Sequence, residues 1–242
     1  MSGDNLAYIN TETVVENENA DNNPQKIVKE ETNKKKKYIT LFIKRVTDII
    51  VGLIGTLALV PLTLIIWIIK KINKENGPVF YEQIRIGKNG KYFKLFKYRS
   101  MVIGADKILH EYLKEHPEEA EEFKKYRKLE NDPRITKMGK FLRETSLDEF
   151  PQFLNLLNGT MSLIGPRPIV DGEIDAYGEN REKFLSVKPG LTGYWQANGR
   201  SNTTYEERME MELYYVDNMS IWLDIKIFFK TFSAIFRKEG AK

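Results

Sequence analysis

The pattern of apolar and polar positions divides the chain into three zones. From Met1 to about Thr32, Asn, Glu, Asp and Thr dominate, apolar residues are few and no period is visible. Such a stretch buries too little surface to order itself, so a disordered tail over 1–33 is expected. It lacks an early apolar core behind basic residues and does not read as a signal peptide. From Ile49 to Ile69 every residue is uncharged and nearly all are apolar. About twenty such residues match the hydrocarbon thickness of a bilayer. Beyond Gly77 the pattern changes to short alternating runs and then to charged, helix-spaced segments.

Charge refines the second zone. Lys34 to Lys37, Lys44 and Arg45 precede the apolar run, and Lys70, Lys71 and Lys74 follow it. Basic residues on both sides hold both ends on the cytoplasmic side. Pro61, near the middle, removes a backbone donor and favours a kink. A helix that enters, breaks at Pro61 and leaves on the same face satisfies both observations. A re-entrant hairpin over 34–74 is therefore expected. A straight span stays open, because membrane helices tolerate proline.

In the third zone, 75–242, the alternating runs Val79–Gly87 and Lys91–Arg99 flank Lys88-Asn-Gly90, a hairpin turn signal. Gln83, Arg85, Lys94, Lys97 and Arg99 fall on exposed faces or strand ends. They form either a solvated face or a basic surface for phosphates or anionic headgroups. Residues 105–130, dense in Glu and Lys and interrupted by Pro117, predict a solvated helical pair. Short helices are expected from Lys137 to Arg143 and over Asp171 to Arg181. Lys188 to Arg200 reads as a glycine-punctuated loop or short strand, and Thr204 to Tyr215 as a charged helix. From Ile221 to Phe236, Trp222, Ile225, Phe229, Phe232 and Phe236 recur every three or four residues. That stripe faces either the core or a membrane interface.

Composition narrows the chemistry. Among 242 residues there is no cysteine and only two histidines, His110 and His116, both in the charged pair. Thiol chemistry is excluded and a histidine-based triad or zinc cluster has little material. Acid–base, nucleophilic or metal work falls to carboxylates. The formal charge of +4 does not by itself imply nucleic acid. No glycine-rich nucleotide loop appears. The chemistry-bearing stretch is Phe141–Gly159, where Asp148 and Glu149 lie between Arg143 and an apolar run, followed by Met161-Ser-Leu-Ile-Gly-Pro-Arg-Pro168. Ser146-Leu-Asp-Glu149 also fits a capping box, in which Glu149 does no chemistry. Pro151 argues against it, since proline belongs in a first helical turn and would place both acids just ahead of a helix start.

Seven blocks resemble, in order, those of the bacterial sugar transferases, also called monotopic phosphoglycosyl transferases. They are Lys44-Arg-Val-Thr-Asp48, Gly77-Pro-Val-Phe80 with Gln83-Ile-Arg-Ile-Gly87, Phe96-Lys-Tyr-Arg-Ser-Met101 and Asp132-Pro-Arg-Ile-Thr136. Ser146-Leu-Asp-Glu-Phe-Pro-Gln152, Met161–Pro168, and Pro189-Gly-Leu-Thr-Gly193 with Gln196 and Asn198-Gly-Arg200 complete the set. The chain looks like the short form of that family.

The resemblance implies an α+β fold: a small cytoplasmic helical domain with a β-hairpin and interfacial amphipathic helices, anchored by the re-entrant helix. It implies transfer of a sugar-1-phosphate from a UDP-sugar to polyprenyl (undecaprenyl) phosphate at the cytoplasmic face of the plasma membrane, starting lipid-linked glycan assembly for downstream glycosyltransferases. Asp148 would be the nucleophile, releasing UMP, and Glu149 would hold Mg²⁺ against the diphosphate. Arg143, Arg167, Arg200, Lys97 and Arg99 would contact phosphates, and Pro61 would mark the membrane break. Ala176 to Lys188 is a candidate for sugar contacts. One departure is visible: Glu212 stands where the family pattern leads us to expect aspartate. Two alternatives remain, a tethered phosphate- or headgroup-binding protein without turnover and a glycosyltransferase that releases the whole nucleoside diphosphate.

Overall fold

The computed structural model describes residues 24–126, 129, 131–199 and 203–236. By contacts the chain forms two compact units, Met1–Leu41 and Phe42–Lys242. Helix α1 runs over Pro24–Ile72, with Pro61 inside it. Residues 24–33, assigned to the tail from composition, are helical; residues 1–23 lie outside the described residues. Extending an existing helix avoids the cost of nucleating one, so poor apolar content does not stop it. Lys34–Ile72 is long and apolar enough to cross a membrane, and only 22 % of its most apolar window is buried. The helix is not interrupted at Pro61, so any change of direction there is a bend within one helix rather than a gap between two.

In the second unit α1 presents one stripe to the protein on both sides of Pro61. Leu59 and Ile66 are buried with Tyr98, Met138 and Leu142, and Val51 packs beside Phe93, Leu95 and Leu156. The other face, including Ile50, Ile54, Leu57, Val60 and Leu64, is exposed. At Gly55 a side chain is impossible without repacking, because a Cβ would lie 2.2 Å from the Phe153 ring.

The hairpin is formed as expected. Strands β1 (Phe80–Ile86) and β2 (Tyr92–Tyr98) pair antiparallel from Phe80↔Tyr98 to Ile86↔Tyr92. Asn89 and Gly90 take the positive φ angles, 58° and 74°, that the turn needs. Helices α2 (Ala105–Glu115) and α3 (Pro117–Tyr126) form the charged pair, with Pro117 at the first position of α3. Helix α4 (Lys137–Glu144) is capped by the Thr136 hydroxyl accepting from the Gly139 amide at 2.9 Å. A 3₁₀ turn, Leu147–Gln152, leads into α5 (Phe153–Asn158). Strands β3 (Ser162–Ile164) and β4 (Gly190–Thr192) pair parallel, a two-strand sheet that the sequence reading did not separate from loop. Between them lie a 3₁₀ segment, Ile174–Asn180, and α6 (Arg181–Leu185). Helices α7 (Tyr194–Asn198), α8 (Tyr205–Asn218) and α9 (Ile221–Phe236) close the described chain.

Helix α9 settles one open choice. Its buried positions are Asp224 and Ile227, whereas Trp222 is 66 % exposed, Phe229 65 % and Phe232 53 %. The apolar stripe therefore does not face the core; the side chain of Phe236 lies outside the described residues. Spacing shows that residues share a face, not which face meets the core.

A polar cluster fastens α1. Lys44 Nζ donates to Asp224 Oδ2 at 2.5 Å, to the Ile164 carbonyl at 3.0 Å and to Tyr215 Oη at 3.0 Å. Arg45 donates to the Leu156 and Leu157 carbonyls at 2.7 and 2.9 Å, and Asp48 accepts from the Leu163 amide and the Ser162 hydroxyl. These three charges, four residues apart at most, lie on one helical face and dock it to α5, β3 and α9.

Candidate active site

Asp148 and Glu149 sit in the 3₁₀ turn rather than ahead of a capped α-helix. Ser146 has φ 57° and makes no side-chain capping bond, so the capping box does not form. Pro151 stands fifth in that turn, two residues before α5, not in the first turn of a helix as the sequence suggested. Asn155, fully buried, holds α5 to the neighbouring strand: its Nδ2 donates to the Lys94 carbonyl at 2.7 Å and its Oδ1 accepts from the Phe96 amide at 3.1 Å. That clamp sets β2, and with it Lys97, beside the acids. Lys97 Nζ donates to Glu149 Oε1 at 2.7 Å.

The two acids are thereby made different. Asp148 makes no ion pair or side-chain hydrogen bond with another described residue. Burial pushes its carboxyl above the ordinary aspartate value, assisted by Glu149 and opposed by Lys97 and Arg143. At Glu149, whose side chain is 41 % exposed, partial burial also works against ionisation. There the charge and hydrogen bond of Lys97, with Arg167 and Gln152, prevail and hold the carboxyl below the usual range. Adjacent carboxylates with diverging protonation can take separate roles.

A cavity opens beside Glu149, lined by Arg85, Lys97, Gln152, Arg167 and Gln196 among others. The Gly165–Pro168 loop is pinned to β4, with the Gly165 amide on the Thr192 carbonyl at 2.9 Å and the Gly190 amide on the Pro166 carbonyl at 2.8 Å. A Cβ at Gly190 would lie 2.1 Å from the Gly165 nitrogen, so only glycine permits this approach. Behind the loop, Glu212 is 1 % exposed and accepts from the Arg167 amide and Arg208 Nε, each at 3.3 Å, and from the Tyr177 hydroxyl. Burial raises the Glu212 carboxyl despite Arg208 and Tyr177.

Of the sequence-derived site residues, Lys97, Glu149 and Arg167 line the cavity and Asp148 adjoins Glu149. Arg143 turns its Nε to the Ser100 hydroxyl at 2.9 Å, yet its charge acts on Asp148. Arg99 is not gathered in: it donates to the Pro78 carbonyl at 3.2 Å and lies over the Tyr81 ring. Arg200 lies outside the described residues. In the stretch Ala176 to Lys188, Tyr177 and Phe184 are core residues beside Ile86 and Ile169. Gln152, Gln196 and Arg85 lie within the motif blocks, Arg85 also on a strand face, but only the fold brings them to the cavity.

The family model of the bacterial sugar transferases matches residues 39–238. The chain belongs to this family. The undecaprenyl-phosphate galactose phosphotransferase of Salmonella typhimurium is 42 % identical over 200 residues, 83 % of this chain and 42 % of that protein. The UDP-glucose:undecaprenyl-phosphate glucose-1-phosphate transferase of Escherichia coli is 38 % identical over 202 residues, 80 % of this chain and 40 % of that protein. The exopolysaccharide production protein ExoY of Sinorhizobium fredii is 41 % identical over 198 residues, covering 82 % of this chain and 87 % of the relative. This sugar transferase chain thus spans less than half the length of the first two relatives and most of the third. All seven motif blocks begin and end within the matched residues.

Proposed function

We propose that this chain transfers a sugar-1-phosphate from a UDP-sugar to undecaprenyl phosphate or a similar polyprenyl phosphate. The observation that carries the reading is the division of labour at the acids: Lys97 occupies Glu149, while Asp148 beside it forms no ion pair with a described residue. An Asp148 oxygen attacks the sugar-bearing phosphorus, the bond to the bridging oxygen breaks, and UMP leaves with those electrons. A polyprenyl phosphate oxygen then attacks the same phosphorus and frees the Asp148 carboxylate. The names of the relatives from Salmonella and Escherichia coli supply the donor and acceptor classes.

No group of three or more potential metal-ligating side chains occurs among the described residues. The donor set therefore fits a cation shared with the substrate diphosphate, not one held by protein alone, as suits Mg²⁺. Glu149 would hold it, and it would supply charge neutralisation at the phosphates. Lys97 and Arg167 orient the donor, and the docked face of α1 keeps the acids at a fixed height above the bilayer. The apolar face of α1 and the exposed aromatic stripe of α9 support a seat in the cytoplasmic leaflet, with re-entry made by a bend at Pro61. An impermeant thiol reagent on intact cells is expected to miss a cysteine placed at Ser2; labelling there would overturn the re-entrant reading.

Incubated with UDP-galactose or UDP-glucose and undecaprenyl phosphate, the protein is expected to release UMP. Release of UDP instead would favour an ordinary glycosyltransferase. The pH dependence follows from the acids. Asp148 attacks only when ionised, so kcat/KM falls as pH drops through its raised pKa, while Glu149 stays charged. Because Lys97 favours the charged form of Asp148, Lys97→Met moves that acid limb to higher pH. An unmoved or lowered limb would remove Asp148 from the titration.

A further inference from the structure

Two guanidiniums at the cavity, one on buried Arg85 and one on half-buried Arg167, make no ion pair with a described residue. Arg85, only 8 % exposed on β1, donates to the Pro168 carbonyl at 3.3 Å and to Gln83 Oε1 at 2.8 Å, both neutral acceptors. Its Nε is buried without a hydrogen-bond partner, and so is Nε of Arg167. Of the carboxylates whose charge reaches Arg85, Glu149 is committed to Lys97 and Glu173 accepts from the Val170 amide at 3.4 Å; Glu212, behind the loop, is held by Arg208 and Tyr177. Among the described residues neither Arg85 nor Arg167 forms an ion pair. Burial and the charge of Arg167 weigh against the charged form of Arg85 and prevail over Glu173 and Glu149, which favour it from a distance. Buried cations without counter-charge are costly, and a phosphate satisfies two guanidinium forks at once.

Position decides which phosphate. The charges acting on Asp148 are those of Lys97, Glu149 and Arg143, whereas Glu149 also feels Arg167. Arg85 and Arg167 line the same cavity as Glu149, whereas Asp148 is not among its lining residues. We propose that Arg85 and Arg167 form a seat for the phosphate that leaves with the nucleoside, so that the two phosphates of the donor straddle Glu149. This rests on the proposed transfer reaction and adds Arg85 to the site. Gln83 and the Pro168 carbonyl hold the guanidinium of Arg85 ready for the anion.

UMP is the probe, because its binding needs no turnover. With the full chain in detergent, Arg85→Gln is expected to weaken UMP binding and UMP product inhibition at least about tenfold. Arg85→Lys, which keeps the charge but loses the fork, falls between. In a two-step exchange kcat/KM for polyprenyl phosphate reports only the second step, so it is expected to stay unchanged while kcat/KM for the UDP-sugar falls. A merely structural role would lower both together and overturn the seat, as would UMP binding unchanged in Arg85→Gln. If UMP binding falls in the variant but the wild type transfers no phosphosugar, the seat stands and the transfer reaction fails. If transfer proceeds and UMP binding is indifferent to Arg85, the reverse holds.

Discussion

Asp148→Asn is expected to abolish transfer to polyprenyl phosphate, lowering kcat by about 10⁴-fold or more, as loss of a nucleophile does in other covalent enzymes. Asparagine keeps the size and place of the side chain, and Asp148 makes no ion pair with a described residue that the change would break. The fold and UMP binding are therefore expected to survive, which separates loss of chemistry from loss of structure. Glu149 does not replace it, because Lys97 holds one of its oxygens at 2.7 Å. Transfer in Asp148→Asn within about tenfold of wild type would show that no phosphosugar passes through this residue.

The largest effect on stability is expected at Lys44→Met. The Lys44 and Asp224 side chains are 10 % and 12 % exposed. Removing one partner of such a pair leaves the other buried and uncompensated, at a cost of about 3–5 kcal/mol. Chemical denaturation in detergent measures it. The loss should depend on pH with a definite sign. Burial already raises the Asp224 carboxyl against the pull of Lys44, and without Lys44 it rises further. A buried acid with a raised pKa destabilises the fold while ionised and is relieved on protonation. The deficit of Lys44→Met is thus greatest near neutrality and shrinks as the pH falls. Adding Asp224→Asn should recover part of it at neutral pH. A cost below about 1 kcal/mol would mean that the helix is held chiefly by its apolar stripe.

What could be read from the residues follows the range of the forces involved. The hairpin was legible because Lys88-Asn-Gly90 and two alternating runs are local signals, and the strands fall at Phe80–Ile86 and Tyr92–Tyr98. The charged helix expected over Thr204 to Tyr215 is α8, which starts behind a Thr204–Glu207 capping box. The pairing of β3 with β4 was not legible: three residues each, glycine at one end, and a parallel partner 28 positions away leave no period to detect. Lys44 and Arg45 read as a basic flank of a membrane helix, yet their donors are spent on Asp224, Ile164, Leu156 and Leu157. Only the fold brings those acceptors to them. The site divides the same way. Asp148 and Glu149 stand out as adjacent acids, but their difference comes from Lys97, about fifty positions earlier. Glu212, noted only as a departure from pattern, proves to be the buried anchor of the Arg167 amide and Arg208.

The central claim is that a phosphosugar rests on Asp148 between donor and acceptor. The direct measurement uses a UDP-sugar labelled at the sugar-bearing phosphate, without polyprenyl phosphate, followed by digestion and mass spectrometry. One phosphosugar per chain is predicted on the peptide containing Asp148, formed with one UMP and discharged when polyprenyl phosphate is added. Transfer at full rate with no adduct, or with the label on another residue, would contradict the account.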